Sequence, residues 1–283
     1  MSSDSGAIRH VSDTALLVAG CRTIEATRPD ALVRDRFVGR LAGERGLAMF
    51  RTLQHPEIML FGIAIRTRFV DDLVLEALAS GGVETVVSVG AGLDTRPWRL
   101  DLPSELRWIE VDFAAMLDFK DQLLADEKPR CRRERLEADV NDAAQRKRIY
   151  AAVGRAPALM ITEGLLVYLP AQTVESLASE AARETGIAHW ICDIMTTTFS
   201  QAIGGGGTKL VRHVQADDHL TGEQTLERIC SRGWKPMARR SYVSDLGFAE
   251  ERIKSMMPSV PSPEKPPAFG PDEQAGVHRF GRV

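Results

Sequence analysis

A β-branched apolar run, Val83 to Val89, stops abruptly at Gly90-Ala91-Gly92. That composition belongs to a parallel strand buried on both faces. Glycines at its carboxyl end let the backbone approach a ligand with no side chain in the way. Beyond the turn, strand-like and helix-like stretches alternate. Residues 107–111, 134–138, 158–162 and 189–194 read as strands, and residues 112–125, 141–153 and 172–185 read as helices, the last headed by Pro170-Ala171. This βαβα rhythm predicts a parallel sheet with helices on both faces.

The flanks differ. Asp13 is placed to cap a helix over the apolar run from Ala15 to Val18, and Pro29-Asp30 breaks it. A further helix is expected around Leu32, Val33 and Phe37, then one or two amphipathic helices from Glu57 to Ala79, stopped at Ser80-Gly81-Gly82. After the core come a Gly204–Gly207 run, a helix from Thr221 to Cys230, a strand over 234–243, a proline-rich loop from Pro258 to Pro271 and a last edge strand over 276–283. The chain divides into a helical cap (1–80), a ligand-binding core (81–195) and a lid and substrate-facing part (196–283), all within one domain.

Composition closes off several functions. With 44% hydrophobic and 27% charged residues in 283, the chain is no disordered polymer. Lys+Arg 36 against Asp+Glu 39 gives a net charge of -3, with no pull toward nucleic acid or anionic lipid. The basic cluster Arg130, Arg132, Arg133 and Arg135 is interrupted by Glu134, Glu137 and Asp139 and reads as a solvated loop. No apolar run reaches the roughly 18 residues of a membrane span, and residues 1–10 carry no signal pattern, so a cytoplasmic protein is expected. Four cysteines without a CxxC pair predict free thiols, and six histidines without HExxH spacing predict no metal site; His213 and His219 read as a polar loop.

The ligand is narrowed by what the glycine turn lacks. A dinucleotide site wants a third glycine three residues after the second, to seat a pyrophosphate over a closely packed helix. Thr95 stands there. A nucleoside ligand without pyrophosphate, such as S-adenosylmethionine, does not need that glycine. Asp112, twenty residues after Gly92 at the end of the next strand, can accept hydrogen bonds from ribose hydroxyls. This pattern alone leaves both a NAD-dependent oxidoreductase and an S-adenosylmethionine site open.

Longer motifs separate them. VVSVGAGLDTRPWRL (86–100), WIEVDFAAMLDFK (108–120) and ITEGLLVYLP (161–170) resemble the leucine carboxyl methyltransferase family, within it the bacterial branch of S-adenosylmethionine-dependent small-molecule O-methyltransferases. The segments 12–37 and 65–72 resemble the same branch. The resemblance implies an α/β fold of the Rossmann-like class I methyltransferase type: a seven-stranded, mostly parallel sheet, its last strand antiparallel, under an N-terminal helical cap. It also implies that the Gly90-Ala91-Gly92 turn lies against the cofactor's methionine end and that Asp112 holds the ribose. Asp139-Val140 then meets the adenine, Glu163 the amino group, and Arg66 a carboxylate of cofactor or acceptor. Tyr168 faces the methyl group in this reading, with a core position as the other. Arg36 departs from the family's usual proline after Asp35, and Val140 from the commoner leucine. The Gly204–Gly207 and Pro258–Pro271 stretches have no counterpart.

The expected reaction is methyl transfer to an oxygen of a small molecule. No histidine lies in the motifs to deprotonate a hydroxyl. A carboxylate acceptor, already ionised at neutral pH, needs no base. A phenolic or polyketide hydroxyl is the alternative acceptor, and a non-catalytic cofactor-binding homologue the alternative role.

Overall fold

Thr85–Val89 (β1) is buried throughout and pairs in parallel on both sides, with Arg107–Asp112 (β2) and Ala158–Thr162 (β4). The computed structural model in which this is seen describes residues 11–184, 186–202, 212–256 and 274–283. Arg132–Glu137 (β3) lies outside β2, and Ile187–Ile194 (β5) outside β4. Trp234–Ser241 (β6) and Gly276–Arg282 (β7) complete a seven-stranded sheet of order β3-β2-β1-β4-β5-β7-β6, with β7 antiparallel to both its neighbours. The strand order turns back on either side of β1. Open α/β sheets bind ligands at such a switch point, outside the strands' carboxyl ends.

Successive side chains of a strand face opposite sides, so β1 feeds two cores. Val87 and Val89 pack with Ile149, Val174, Leu177, Trp190 and Trp234. Val86 packs on the other face with Phe69, Leu73, Trp108 and Ile161. The first face is covered by α6 (Ala143–Val153) and α7 (Ala171–Arg183), the second by α3 (Pro56–Ala79). Between β1 and β4 run the one-turn α4 (Arg96–Arg99) and α5 (Ala114–Leu123). A short α8 (Thr197–Ala202) follows β5, and helices Gly222–Ser231 and Glu250–Met256 flank β6.

The cap is α1 (Val11–Thr27) crossed by α2 (Val38–Arg51). The crossing needs glycine: a Cβ on Gly20 would sit 2.3 Å from the Gly46 carbonyl oxygen. The buried Arg22–Asp35 pair beneath it, bonded to Leu93 and Thr95 just beyond β1, ties the cap to the sheet.

Four sequence expectations change. Asp13 lies in the first turn of α1, not ahead of it, and pairs with Arg45. Leu32, Val33 and Phe37 are not helical. The Asp35 carboxylate accepts from the N–H groups of Phe37 at 3.0 Å and Val38 at 3.1 Å, so α2 starts only at Val38. The 276–282 strand is not an edge; β7 is inserted between β5 and β6 and buried along most of its length. The arginine cluster is not a loop but largely the edge strand β3, where Arg133 pairs with Glu110 and Asp121, and Arg135 with Asp118 and Asp121. The region from Glu57 to Ala79 is one helix. The Gly204–Gly207 run and the Pro258–Pro271 loop lie outside the described residues. Among the described residues all four cysteines are free thiols, no cluster could hold a metal, and no helix is long and apolar enough to cross a membrane.

Candidate functional site

The carboxyl ends of β1, β2 and β4 open into one cavity of about 240 Å³, roofed by α1. Arg66, Gly90, Ala91, Gly92, Asp112, Asp139, Val140, Glu163 and Tyr168, all expected from the sequence, line it together.

The glycine turn forms its floor. Gly90 and Gly92 have φ of +68° and +47°, backbone that L side chains avoid. A Cβ on Gly90 would also sit 2.9 Å from Leu165. The N–H groups of Gly90 and Ala91 both donate to the Val111 carbonyl, at 2.9 and 3.0 Å, latching the turn onto β2. Thr95, where a dinucleotide site wants glycine, is fully buried. Its hydroxyl donates to Asp35 at 2.6 Å and accepts from Arg22 at 2.7 Å. The turn is thus tied to the cap. Only the four-residue α4 comes after it, so no long helix aims its N-terminus at a pyrophosphate.

Asp112 ends β2. Its oxygens accept from Gly92 N–H at 2.7 Å and Phe113 N–H at 2.8 Å, and among the described residues it has no ion pair. Burial raises its pKa, against the pull of those two N–H groups and the distant Lys120 ammonium. Each oxygen keeps a lone pair, and a carboxylate without a cation beside it suits neutral donors such as a diol. Asp139 accepts from Asn141 N–H at 2.9 Å, and Val140 beside it belongs to the apolar core, so an acid and an apolar wall stand together.

At the β4 end the chemistry is ionic. Glu163 is gripped by Arg66 Nε at 3.0 Å and by Arg96 Nη1 at 2.8 Å. Arg96 also holds Asp71 at 2.6 Å and Asp94 at 3.1 Å, and Arg99 holds Asp71 from the other side at 2.5 Å. Asp193, on β5, accepts from Gly164 N–H at 2.6 Å and lies 3.5 Å from Arg66. Burial pushes the Glu163 carboxyl up, but Arg96 and Arg66 outweigh it and hold it below the usual range. Asp94 is likewise pushed up by burial, yet Arg96, Arg99, Lys120 and Arg22 bring it to about 2. Asp193 is raised: its burial exceeds the help of Arg66 and Gly164. Tyr168 closes the cavity from the turn Leu166–Tyr168, its hydroxyl paired with Thr14 of α1 and its pKa raised, chiefly by burial.

Sequence reasoning misses Arg22, Asp94, Arg96 and Asp193. Asp193 carries the signal that exposes Glu163, an acid closing a buried strand. Asp94 and Arg96 sit inside the glycine-turn motif, but their role depends on partners far off in the chain. Among the described residues no histidine lines the cavity.

The family described as leucine carboxyl methyltransferase matches residues 15–182. A Streptomyces avermitilis protein bearing the name of an S-adenosyl-L-methionine-dependent methyltransferase is 40% identical over 187 residues, 61% of this chain and 64% of its own. The match thus spans just under two thirds of that relative's length. A Mycolicibacterium smegmatis protein of like name is 34% identical over 266 residues, 84% of this chain and 88% of its own. In three dimensions, a Thermobifida fusca crystal structure described as a methyltransferase superposes with a TM-score of 0.57 at 15% identity, covering 99% of this chain and 96% of the other. The fold is that of the Rossmann-like methyltransferases.

Proposed function

The chain belongs to the leucine carboxyl methyltransferase family, and on that footing we propose that it is an S-adenosylmethionine-dependent O-methyltransferase of a small molecule, with a carboxylate as the favoured acceptor. The observation that carries this reading is the split chemistry of the cavity. Asp112 stands on one wall with lone pairs to spare and, among the described residues, no ion pair, and Glu163 on the other is kept ionised by two arginines.

Those residues fit the cofactor. Asp112 would accept hydrogen bonds from the ribose hydroxyls, Asp139 and Val140 would flank the adenine, and the Gly90–Gly92 backbone would make room for the methionine end. Glu163 would accept from the amino group. Bound there, S-adenosylmethionine would supply a methyl carbon on a sulfonium for in-line displacement. The protein's own task is alignment and exclusion of water. Arg66 and Arg96 fix Glu163. Tyr168, through Thr14, holds the cap helix over the cavity. Arg22, bonded to the Leu93 carbonyl at 3.1 Å and to Thr95 and Asp35, fastens that helix to the turn.

The lack of a histidine in the described lining supports an acceptor that arrives ionised. A carboxylate does so at neutral pH, whereas an alcohol needs a base. The test is methyl transfer from radiolabelled S-adenosylmethionine to a panel of carboxylic acids and phenols. A methyl ester releases volatile methanol in mild base, and base-labile label is expected. Base-stable label on a phenol would contradict the carboxylate while leaving methyl transfer intact.

A further inference from the structure

We infer that Tyr242, which lines no part of the cavity beneath α1, selects the acceptor: its hydroxyl donates to one oxygen of an aromatic carboxylate whose ring packs against Tyr242 and Phe199. The inference rests on the methyltransferase reading and names the class of acceptor within it.

Tyr242 stands at the binding edge of the sheet. Ile194 at the end of β5, Gly276 at the start of β7 and Ser241 at the end of β6 lie in one row of the ladder. Tyr242 is the next residue, fixed by its N–H to the Ala275 carbonyl at 2.9 Å. The charges of Asp193, Arg66 and Glu163 all bear on its hydroxyl. The ring stacks on Phe69 of α3 at 6.1 Å and meets Phe199 of α8 at 5.7 Å.

The hydroxyl is the anomaly. Tyr242 is 8% exposed, and among the described residues its oxygen has no hydrogen-bond partner. Buried phenols nearly always find one, and an orphaned buried hydroxyl is destabilising. Phenylalanine would fill the same space without that cost. The hydroxyl therefore serves a group that the protein does not supply, close to Arg66 and Glu163, which line the cavity. Burial keeps the phenol protonated at neutral pH, a donor matched to an anionic oxygen. It holds one carboxylate oxygen and leaves the other free to be methylated. A planar ring extends the Phe69–Tyr242–Phe199 stack, with Phe199 only partly buried.

Calorimetry with Y242F and F199A tests this. S-adenosylhomocysteine is titrated first, then sodium benzoate into the saturated complex. Y242F is expected to bind S-adenosylhomocysteine like the parent, to melt no lower, and to bind benzoate at least about tenfold more weakly, as loss of a bond to a charged group implies. F199A is expected to weaken benzoate as well. Equal benzoate affinity in Y242F and parent overturns the inference, as does a parent complex that ignores benzoate. A lower melting temperature with unchanged benzoate binding would mark the hydroxyl as structural and overturn it too. A parent that fails to bind S-adenosylhomocysteine would instead refute the proposed function, and this inference with it.

Discussion

Replacing Arg96 with methionine keeps the side chain's length and removes the charge at the centre of the ionic cluster. Arg96 is 3% exposed and reaches three carboxylates, Asp71 at 2.6 Å, Glu163 at 2.8 Å and Asp94 at 3.1 Å. Two of them keep another cation: Asp71 has Arg99 at 2.5 Å and Glu163 has Arg66 at 3.0 Å. Asp94 loses its nearest one. In the parent its carboxyl titrates at about 2 against an ordinary 3.8. At roughly 1.4 kcal/mol per pKa unit, that depression is about 2 kcal/mol of stability. The sign comes from the direction. Because the folded pKa is depressed, this stability is fully present above the unfolded value, near pH 4, and is lost as pH falls toward 2. In R96M burial is opposed only by the more distant Arg99, Lys120 and Arg22, so the Asp94 pKa rises from that depressed value and the acid discharges at a higher pH than in the parent. Breaking a buried pair costs about 3–5 kcal/mol, so urea unfolding should show that deficit at pH 7 and a clearly smaller one near pH 3, between the two titrations. A deficit below about 1 kcal/mol at pH 7, or one that does not narrow with acid, would refute this account of the cluster.

D112A should lower affinity for S-adenosylhomocysteine at least about tenfold, since a bond to a charged acceptor is worth roughly 1.5–3 kcal/mol. Its melting temperature should barely move, because the lost carboxylate is already disfavoured by burial; calorimetry and thermal melts read both. G90V places a branched side chain at φ +68° and against Leu165, so it should lose about 1–2 kcal/mol of stability and most cofactor affinity, and parental binding by this variant would sink the proposed role of the turn.

The sheet is legible in the sequence wherever burial is two-sided. The runs at 85–89 and 158–162 are mostly apolar, without alternation and buried throughout, and their expected ends fall within two residues of the structure. Strand order is not legible: β7 is joined to β6 by a long connection, and nothing in its own pattern says that it slots inside the sheet. The start of α2 is hidden because Asp35 captures two N–H groups locally, overriding the apolar spacing of Leu32, Val33 and Phe37. The site shows the same division. Gly90, Gly92 and Asp112 announce themselves through glycine geometry and strand-end spacing. Arg96 does not: its carboxylate partners come from α3, the glycine turn and the end of β4. Charge pairing across such separations leaves no period in the chain. Arg66, expected to hold a carboxylate of cofactor or acceptor, lines the cavity and also meets the protein's own Glu163 and Asp193, partners at the end of β4 and on β5 that its helical context does not announce.

The central claim is that the cavity beneath α1 is a nucleoside site without a place for a pyrophosphate. Isothermal calorimetry of the parent chain against S-adenosylhomocysteine and NAD, repeated with D112A, tests it most directly. The account predicts saturable binding of S-adenosylhomocysteine, weakened by D112A, and no heat from NAD. Saturable NAD binding with no response to S-adenosylhomocysteine would contradict it.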